Sequence, residues 1–344
     1  MGGGNRPRRV TRTDVARRAG VSTATVSYVL NKLERVPQKT AARVWKAVEE
    51  LGYRPNLIAR SLATSETKQL AIVLNNIANP IYADLILGFE NEAISRGYFV
   101  NICTGNKNID DYFDNFAARG IDGLFIEALP YKYHVEKLTG LVSGGIQVAI
   151  FGSMDALAGS VSSIHTDYID LMERAVRYLV GLGHRRIAYL SGLEGSYGFD
   201  RRIEGFELAT ARFLPEGSPV VVAPEENLNT TIADGARMAR RLLASASDTT
   251  AVVCTNDLMA IGAIEELTRS GLEVPGDVSV VGIDDAYVAT LCRPTLTTFA
   301  SDYRDLGARG FQMLYRQIKT GEPSTYQNTA VLVERESTGP APRR

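Results

Sequence analysis

From Gln69 onward, short apolar runs alternate with longer amphipathic stretches, and this alternation leaves few folds open. The runs Leu70–Leu74, Phe99–Cys103, Leu124–Ile126 and Val148–Phe151 form one set. Ile187–Ser191, Val220–Ala223, Val252–Thr255 and Val278–Ile283 form a second. Between them lie segments with helical spacing of apolar residues, among them Ile81–Arg96, Asp167–Leu182, Arg201–Arg212, Thr231–Ser245 and Leu258–Ser270. Strand–helix alternation of this kind builds parallel sheets covered on both faces. Two sets of four strands predict two lobes, with a ligand cleft at the C-terminal ends of the strands.

The charge changes sign at the point where the alternation begins. Residues 1–68 carry 14 Lys and Arg against 5 Asp and Glu, a net of +9; the rest carries 24 against 34, a net of -10. The overall charge of -1 therefore averages a cationic head and an anionic body, and such asymmetry points to a polyanion partner for the head. Apolar residues at 45% and charged residues at 22% exclude a wholly disordered chain. Cys103, Cys254 and Cys292 are far apart and form neither a disulfide framework nor a metal-ligand spacing, as expected for a reducing cytoplasm. No apolar run approaches the ~18 residues that span a bilayer, so no membrane partner is expected. The basic start MGGGNRPRRV has no apolar segment after it, which argues against a secretory signal.

Within the head, Thr11 followed by Asp14 is a capping-box start, Val15, Ala16 and Ala19 give helical spacing, and Gly20 stops the helix. Ser22 caps a second helix, Thr23 to Leu30, with Val26 and Leu30 inward. A third, about Gln38 to Leu51, places Ala41, Val44, Trp45, Val48 and Leu51 on one face and ends at Gly52. Two short helices joined by Ala19-Gly20-Val21 form a helix-turn-helix pattern, in which the second helix enters the major groove. Thr23, Ala24 and Tyr28 are the candidates for base contacts. Ser22, Thr25, Ser27, Asn31, Thr40 and Tyr53 are candidates for phosphate contacts, which position the head without reading sequence.

These residues resemble the LacI/GalR family of bacterial transcription regulators. The resemblance is carried by Val10 to Ala16, Ala19-Gly20-Val21-Ser22, Thr25 to Asn31, Leu51 to Asn56, and Ala59-Arg60-Ser61-Leu62, in order and spacing. Pro37 departs from it, standing where the family often has a Ser cap, so a lost cap is expected. The resemblance implies that Pro55 to Ala63 is a hinge helix pairing with its copy in the minor groove, with Asn56, Ala59 and Leu62 at the DNA and Leu62 as the wedge.

The body extends the resemblance through Asn79-Pro80, Gly88-Phe89-Glu90, Asp122-Gly123-Leu124, Leu182 to Ala188, Arg202 with Gly205-Phe206, Thr255-Asn256-Asp257, Gly262, Val280 to Asp285 and Pro294 to Thr298. It implies a periplasmic-binding-protein-like core whose lobes exchange strands near Val161–His165, Leu291–Thr298 and Tyr326–Leu332. Matching positions place effector contacts at Ile81, Tyr82, Arg202, Asn256 and Asp284, with Glu127, Phe199 and Asp257 as further candidates. Arg202 offers a fork for a carboxylate, phosphate or vicinal hydroxyls. Gly152, Thr230 and Ser301 depart from residues frequent in the family (an Asp, a stacking aromatic and a polar amide), which weakens the expectation of an ordinary hexose.

The whole is read as a small all-α helix-turn-helix head with a hinge helix, followed by an α/β two-lobed core with parallel sheets. The head spans 1–54, the hinge and linker 55–68, and the effector-binding and dimerisation core 69–344. The N-lobe is placed at about 69–162 plus 296–326, and the C-lobe at about 163–292 plus 330–340. The expected function is that of a transcriptional regulator, read as a repressor. It binds operator DNA as a homodimer under the control of a small-molecule effector, a sugar or related metabolite. Neither enzymatic activity nor a cofactor is expected: no GxGxxG follows a strand, no Walker loop is present, and His134, His165 and His184 make no metal spacing. A solute-binding protein for sugar uptake is the alternative that the body alone would support, and residues 10–63 argue against it.

Overall fold

The computed structural model describes residues 10–30, 36–54, 66–74, 77–104, 109–127, 135–152, 154, 157–195, 200–216, 219–226 and 228–343. They fall into two compact units, residues 1–67 and 68–344.

The first unit contains α1 (Arg12–Ala19), α2 (Thr23–Leu30) and α3 (Gln38–Leu51). Thr11 and Asp14 close a capping box: the Asp14 amide donates to Thr11 Oγ1 and the Thr11 amide to Asp14 Oδ2. The turn into α2 needs a left-handed residue, which Gly20 supplies with φ 65°. Arg43 of α3 pins that turn by donating to the carbonyls of Ala19 and Gly20. Pro37 leaves the start of α3 without a side-chain cap, as its chemistry requires. Val15, Ala16, Ala19, Val26, Val29, Val44, Ala47 and Tyr53 form the core. Two expectations need correction. Trp45 is exposed, because Val44 and Ala47 define the inner line of α3. Val29 is buried with Val26, and Leu30 only flanks them.

Among the described residues, the second unit is built on two six-stranded sheets. The first has the order β11-β5-β4-β3-β1-β2, formed by β1 (Gln69–Leu74), β2 (Phe99–Thr104), β3 (Gly123–Glu127), β4 (Gln147–Phe151), β5 (Ser162–Thr166) and β11 (Thr325–Asn328). All its pairings are parallel. Alternation along β1 shows how both faces are filled. Leu70, Ile72 and Leu74 join the cluster that packs against α4 (Ile81–Ser95) and α11 (Tyr303–Thr320), while Ala71 and Val73 face α5 (Ile109–Arg119) and α6 (Val135–Ser143).

The second sheet has the order β12-β10-β9-β8-β6-β7, from β6 (Ile187–Leu190), β7 (Val220–Val222), β8 (Ala251–Cys254), β9 (Ser279–Asp284), β10 (Thr297–Ala300) and β12 (Val331–Val333). It is parallel except for β12, which runs antiparallel to β10 at the edge. Its faces are covered by α7 (Tyr168–Gly181) and α8 (Arg202–Phe213) on one side, and by α9 (Ile232–Ser245) and α10 (Asp257–Arg269) on the other.

The lobe boundaries differ from those expected. Ser162–Thr166 lies in the first sheet between β4 and the edge strand β11, so the chain leaves that lobe after residue 166 instead of 162. Thr297–Ala300 pairs with β9, so the chain re-enters the first lobe after residue 300 instead of 296. Both segments are rich in hydroxyl side chains, which tend to read as connections, yet a strand near a sheet edge tolerates them. Among the described residues, no helix is long and apolar enough to cross a membrane.

Candidate functional site

In the second unit, residues from the strand ends of both lobes meet through a buried carboxylate. Asp284, the last residue of β9, accepts from the Tyr303 hydroxyl at 2.6 Å and from Asn79 Nδ2 at 3.3 Å. Both donors belong to the opposite lobe: Asn79 precedes α4 and Tyr303 opens α11. Asp284 has φ 125°, a region that side chains beyond glycine rarely occupy, and such strain persists where surrounding structure enforces it. Tyr82, in the first turn of α4, donates its hydroxyl to the carboxylate of Glu127 at the end of β3. The Phe151 ring, ending β4, meets that of Tyr303 edge-on with centroids 6.2 Å apart.

The cation of this site is Arg202, which opens α8. Its Nη1 is paired with Asp200, and its Nη2 donates to the Tyr168 hydroxyl at 2.6 Å. The guanidinium lies 3.8 Å over the Tyr168 ring. Asp200 also accepts from the Arg202 amide at 3.1 Å, which fixes the pair to the start of the helix. Arg202 Nε is buried and has no hydrogen-bond partner among the described residues. A buried unmatched donor costs about 1–3 kcal/mol, more if charged, so such an atom marks a place where another acceptor belongs.

Burial shapes the ionisation here. It raises the phenols of Tyr82, Tyr168 (to about 12) and Tyr303, and nearby carboxylates add to the effect, so all three stay neutral donors. Burial also lifts Asp284 to about 6, against the opposing pull of the Tyr303 donor, Arg202 and Asn79. The folded chain therefore holds this proton more tightly than the unfolded one. Its stabilising contribution is complete below the ordinary value of 3.8 and is lost as pH rises through about 6. Asp257, raised by burial and then by the charge of Asp284, adds to the same trend. Tyr82 and Tyr168 also face this group, and both phenols stay uncharged throughout the window. Asp284→Asn should thus gain stability relative to the parent between about pH 4 and pH 7. Urea melts showing a pH-independent difference would contradict the assignment.

In the head, Thr23, Ala24 and Tyr28 are exposed on α2. Ser22 is exposed too and caps the helix, accepting from the Thr25 amide at 3.0 Å.

Comparison with known proteins supplies the family. Residues 11–56 match the model for bacterial regulatory proteins of the lacI family, and residues 176–338 match a periplasmic binding protein-like domain. The chain is 33% identical over 340 residues to the HTH-type transcriptional repressor PurR of Yersinia enterocolitica, covering 96% of this chain and 97% of the relative. The chain belongs to the lacI family.

Solved structures share its fold, two of them over 96% of the chain. One is the Lac repressor dimer bound to operator and the anti-inducer ONPF (TM-score 0.83, 27% identity, covering 96% of this chain and all of the other). The other is the CelR–cellobiose complex (TM-score 0.68, 28% identity, with the same coverage). This lacI-family chain is accordingly a DNA-binding transcriptional regulator with a periplasmic-binding-protein-like core.

Of the residues singled out for the effector, Tyr82, Glu127, Arg202 and Asp284 come together in the core. Ile81 is buried in the first lobe and also lines a polar hollow of about 220 Å³ at the lobe junction, beside Asp285 and Tyr303. Asn256 is committed elsewhere: it caps α10 through Met259 N and donates to both oxygens of Thr230. Asp257 is fully buried and accepts from Thr298 Oγ1 and the Ala286 amide, so it secures the strand ends behind the site. The Arg202 fork, read as open, already meets Asp200 and Tyr168. In the head, Thr25, Ser27 and Thr40 are half-buried, and the Tyr53 ring lies in the core. Asn31, Asn56, Ala59, Leu62 and Phe199 lie outside the described residues.

Asn79, Tyr168, Asp200 and Tyr303 were missed. Each stands at or just before the first turn of a helix that follows a strand, the position from which an open α/β sheet presents side chains to a ligand. That register was readable; the partners across the lobes were not. His184, outside this site, is held by Thr250, Ser279 and the Gly339 carbonyl, and burial lowers its pKa, so it anchors the C-terminal segment as a neutral ring.

Proposed function

We propose that this chain is a repressor that binds a pseudo-palindromic operator as a homodimer and releases or tightens on it when a small polar effector occupies the cleft around Arg202 and Asp284. The observation that carries the effector reading is the buried, unmatched Arg202 Nε beside hydrogen-bonding groups from both lobes. In the head, Thr23, Ala24 and Tyr28 read base edges in the major groove, while Ser22 and its half-buried neighbours meet phosphates. Exposed apolar residues support the homodimer: Phe99 and Ile102 on the edge strand β2, and Leu87 and Ile94 on α4. The likeness to a Lac repressor dimer on operator supports the same arrangement.

Effector binding controls the operator through differential affinity for the two arrangements of the core, so the ligand and the DNA each alter the affinity of the other. A sugar or related metabolite suits the hydroxyl-matching groups of the cleft, and the cellobiose complex of a relative supports it. The resemblance to PurR repressors makes a purine the second reading.

The test is a titration of the full chain on DNA from the promoter of its own gene, with and without metabolites selected by thermal shift. A dimer neutralising six to ten phosphates should lose about 10³–10⁵ in affinity between 50 and 200 mM salt. Binding that is insensitive to salt, or unaltered by any sugar, nucleoside or nucleobase that raises the melting temperature, would refute the proposal.

A further inference from the structure

The cleft carries a second piece of chemistry, in the residue that neutralises its cation. We propose that Asp200 is a specificity-determining residue which sets the cleft against anionic effectors by spending the charge of Arg202 inside the protein. This inference rests on the effector reading given above and specifies the charge of what the site accepts.

The argument starts from the geometry. Arg202 would, alone, be the natural partner for a phosphate or carboxylate, because its planar fork matches two oxygens at once. Here Nη1 is taken by the Asp200 carboxylate and Nη2 by the Tyr168 hydroxyl. The pair is withdrawn from water: the side chains of Arg202 and Asp200 are only 13% and 10% exposed. Asp200 is held in place by the Arg202 amide, so it cannot swing away cheaply to let an anion in. Nε is the Arg202 nitrogen left without a partner among the described residues, and its single buried N–H suits one hydroxyl or carbonyl oxygen, while the remaining Nη hydrogens sit on nitrogens already bonded to Asp200 and Tyr168.

The surroundings push in the same direction. The carboxylate of Asp284 is buried nearby, its hydrogen-bond donors among the described residues are the neutral Tyr303 and Asn79, and its charge is felt at Arg202. An incoming anion would therefore meet a cation already matched and a further carboxylate in a medium that screens poorly. Like charges brought together in such a place are strongly disfavoured. An uncharged ligand meets neither obstacle.

The experiment uses the full chain and inorganic phosphate as the probe, followed by titration calorimetry. Asp200→Asn keeps the size of the side chain and an oxygen for the Arg202 amide, but removes the charge. It should bind phosphate roughly tenfold or more tightly than the parent. The gain should vanish when Arg202→Met is added, which also subtracts any phosphate held by the cationic head. Asp200→Ser serves as a second variant, and circular dichroism melts establish that each is folded. The proposal is overturned if a folded Asp200 variant binds phosphate no better than the parent. It is overturned equally if the parent already binds phosphate through Arg202 as tightly as the variant does. A separate thermal-shift series of glucose, ribose, cellobiose, adenosine and hypoxanthine tests the effector reading. Its failure would sink that reading, while the phosphate comparison still decides the role of Asp200.

Discussion

Arg202→Met should abolish the effector response, weakening ligand binding by about 30- to 5000-fold while leaving the ligand-free chain's affinity for its operator unchanged. The magnitude follows from what is removed. Truncating one member of a buried, hydrogen-bonded charge pair costs about 2–5 kcal/mol, largely because the other charge is left unmatched. Methionine keeps an unbranched apolar stem to lie against the Tyr168 ring, but loses the bonds to Asp200 and Tyr168 and the free Nε–H. The stranded Asp200 would destabilise the second unit, so the double variant Arg202→Met with Asp200→Asn is the proper companion. If the double variant folds normally and still fails to respond, the loss belongs to binding. The ligand-free affinity for operator should match that of the parent because the head forms a compact unit with its own core. Fluorescence anisotropy on labelled operator, with and without a ligand found by thermal shift, measures both quantities together. A variant that still responds to the ligand at the parental concentration would remove Arg202 from the site.

How far the sequence could lead is best seen in single residues. The head was legible because its signals are local: Thr11 and Asp14 lie one helical turn apart, and Gly20 sits where the backbone turns left-handed. The strands of the two sheets were legible wherever they are apolar on both faces. Ser162–Thr166 and Thr297–Ala300 read as strands that cross between the lobes, and only their pairing with β4 and β9 reveals which sheet each one joins. The same distinction separates the site residues. Arg202 and Asp284 could be placed from their matching positions. That Asp284 would meet Asn79, 205 residues away in the chain, and Tyr303 from the other lobe depends on how the lobes close upon one another. Asn256 and Asp257 show the converse. Their polar groups suit a ligand by type, yet both are consumed in holding α10 and the loop after β9. Residue type sets what a side chain can do, and competition from nearby backbone amides decides whether it is free to do it.

The largest stability loss should come from a methyl group. Gly262, on α10, lies so close to α9 that a Cβ there would sit inside the contact radius of the Ile232 carbonyl oxygen. Gly235 of α9 faces Met259 of α10 in the same way, so each helix presents a glycine to the backbone of the other. The first lobe repeats the device, with Gly88 of α4 against Arg304 and Gly307 of α11 against Leu85. Gly262→Ala gains up to about 1 kcal/mol of helix propensity. Against that stands an overlap with backbone, which cannot be relieved by a side-chain rotation. The helices must part, and Met238, Ala239, Leu242, Met259 and Ala263 lose contact in a core where fractions of an ångström matter. Overpacking of this kind costs about 1–3 kcal/mol and more when the backbone must move, so the loss wins. A net ~2–3 kcal/mol lowers the melting temperature by roughly 4–12 °C in a unit of this size. Gly181→Ala is the control: it ends α7 in the same lobe, has open space at its Cβ, and should be neutral or stabilise by a few tenths of a kcal/mol. Parting α10 from α9 also displaces Asn256 and Asp257 at its start, and with them the loop that carries Asp284. Ligand affinity should therefore fall in Gly262→Ala even at temperatures where the protein is fully folded. Calorimetric scans in which Gly262→Ala melts with the parent would mean that the two helices are not held in backbone contact.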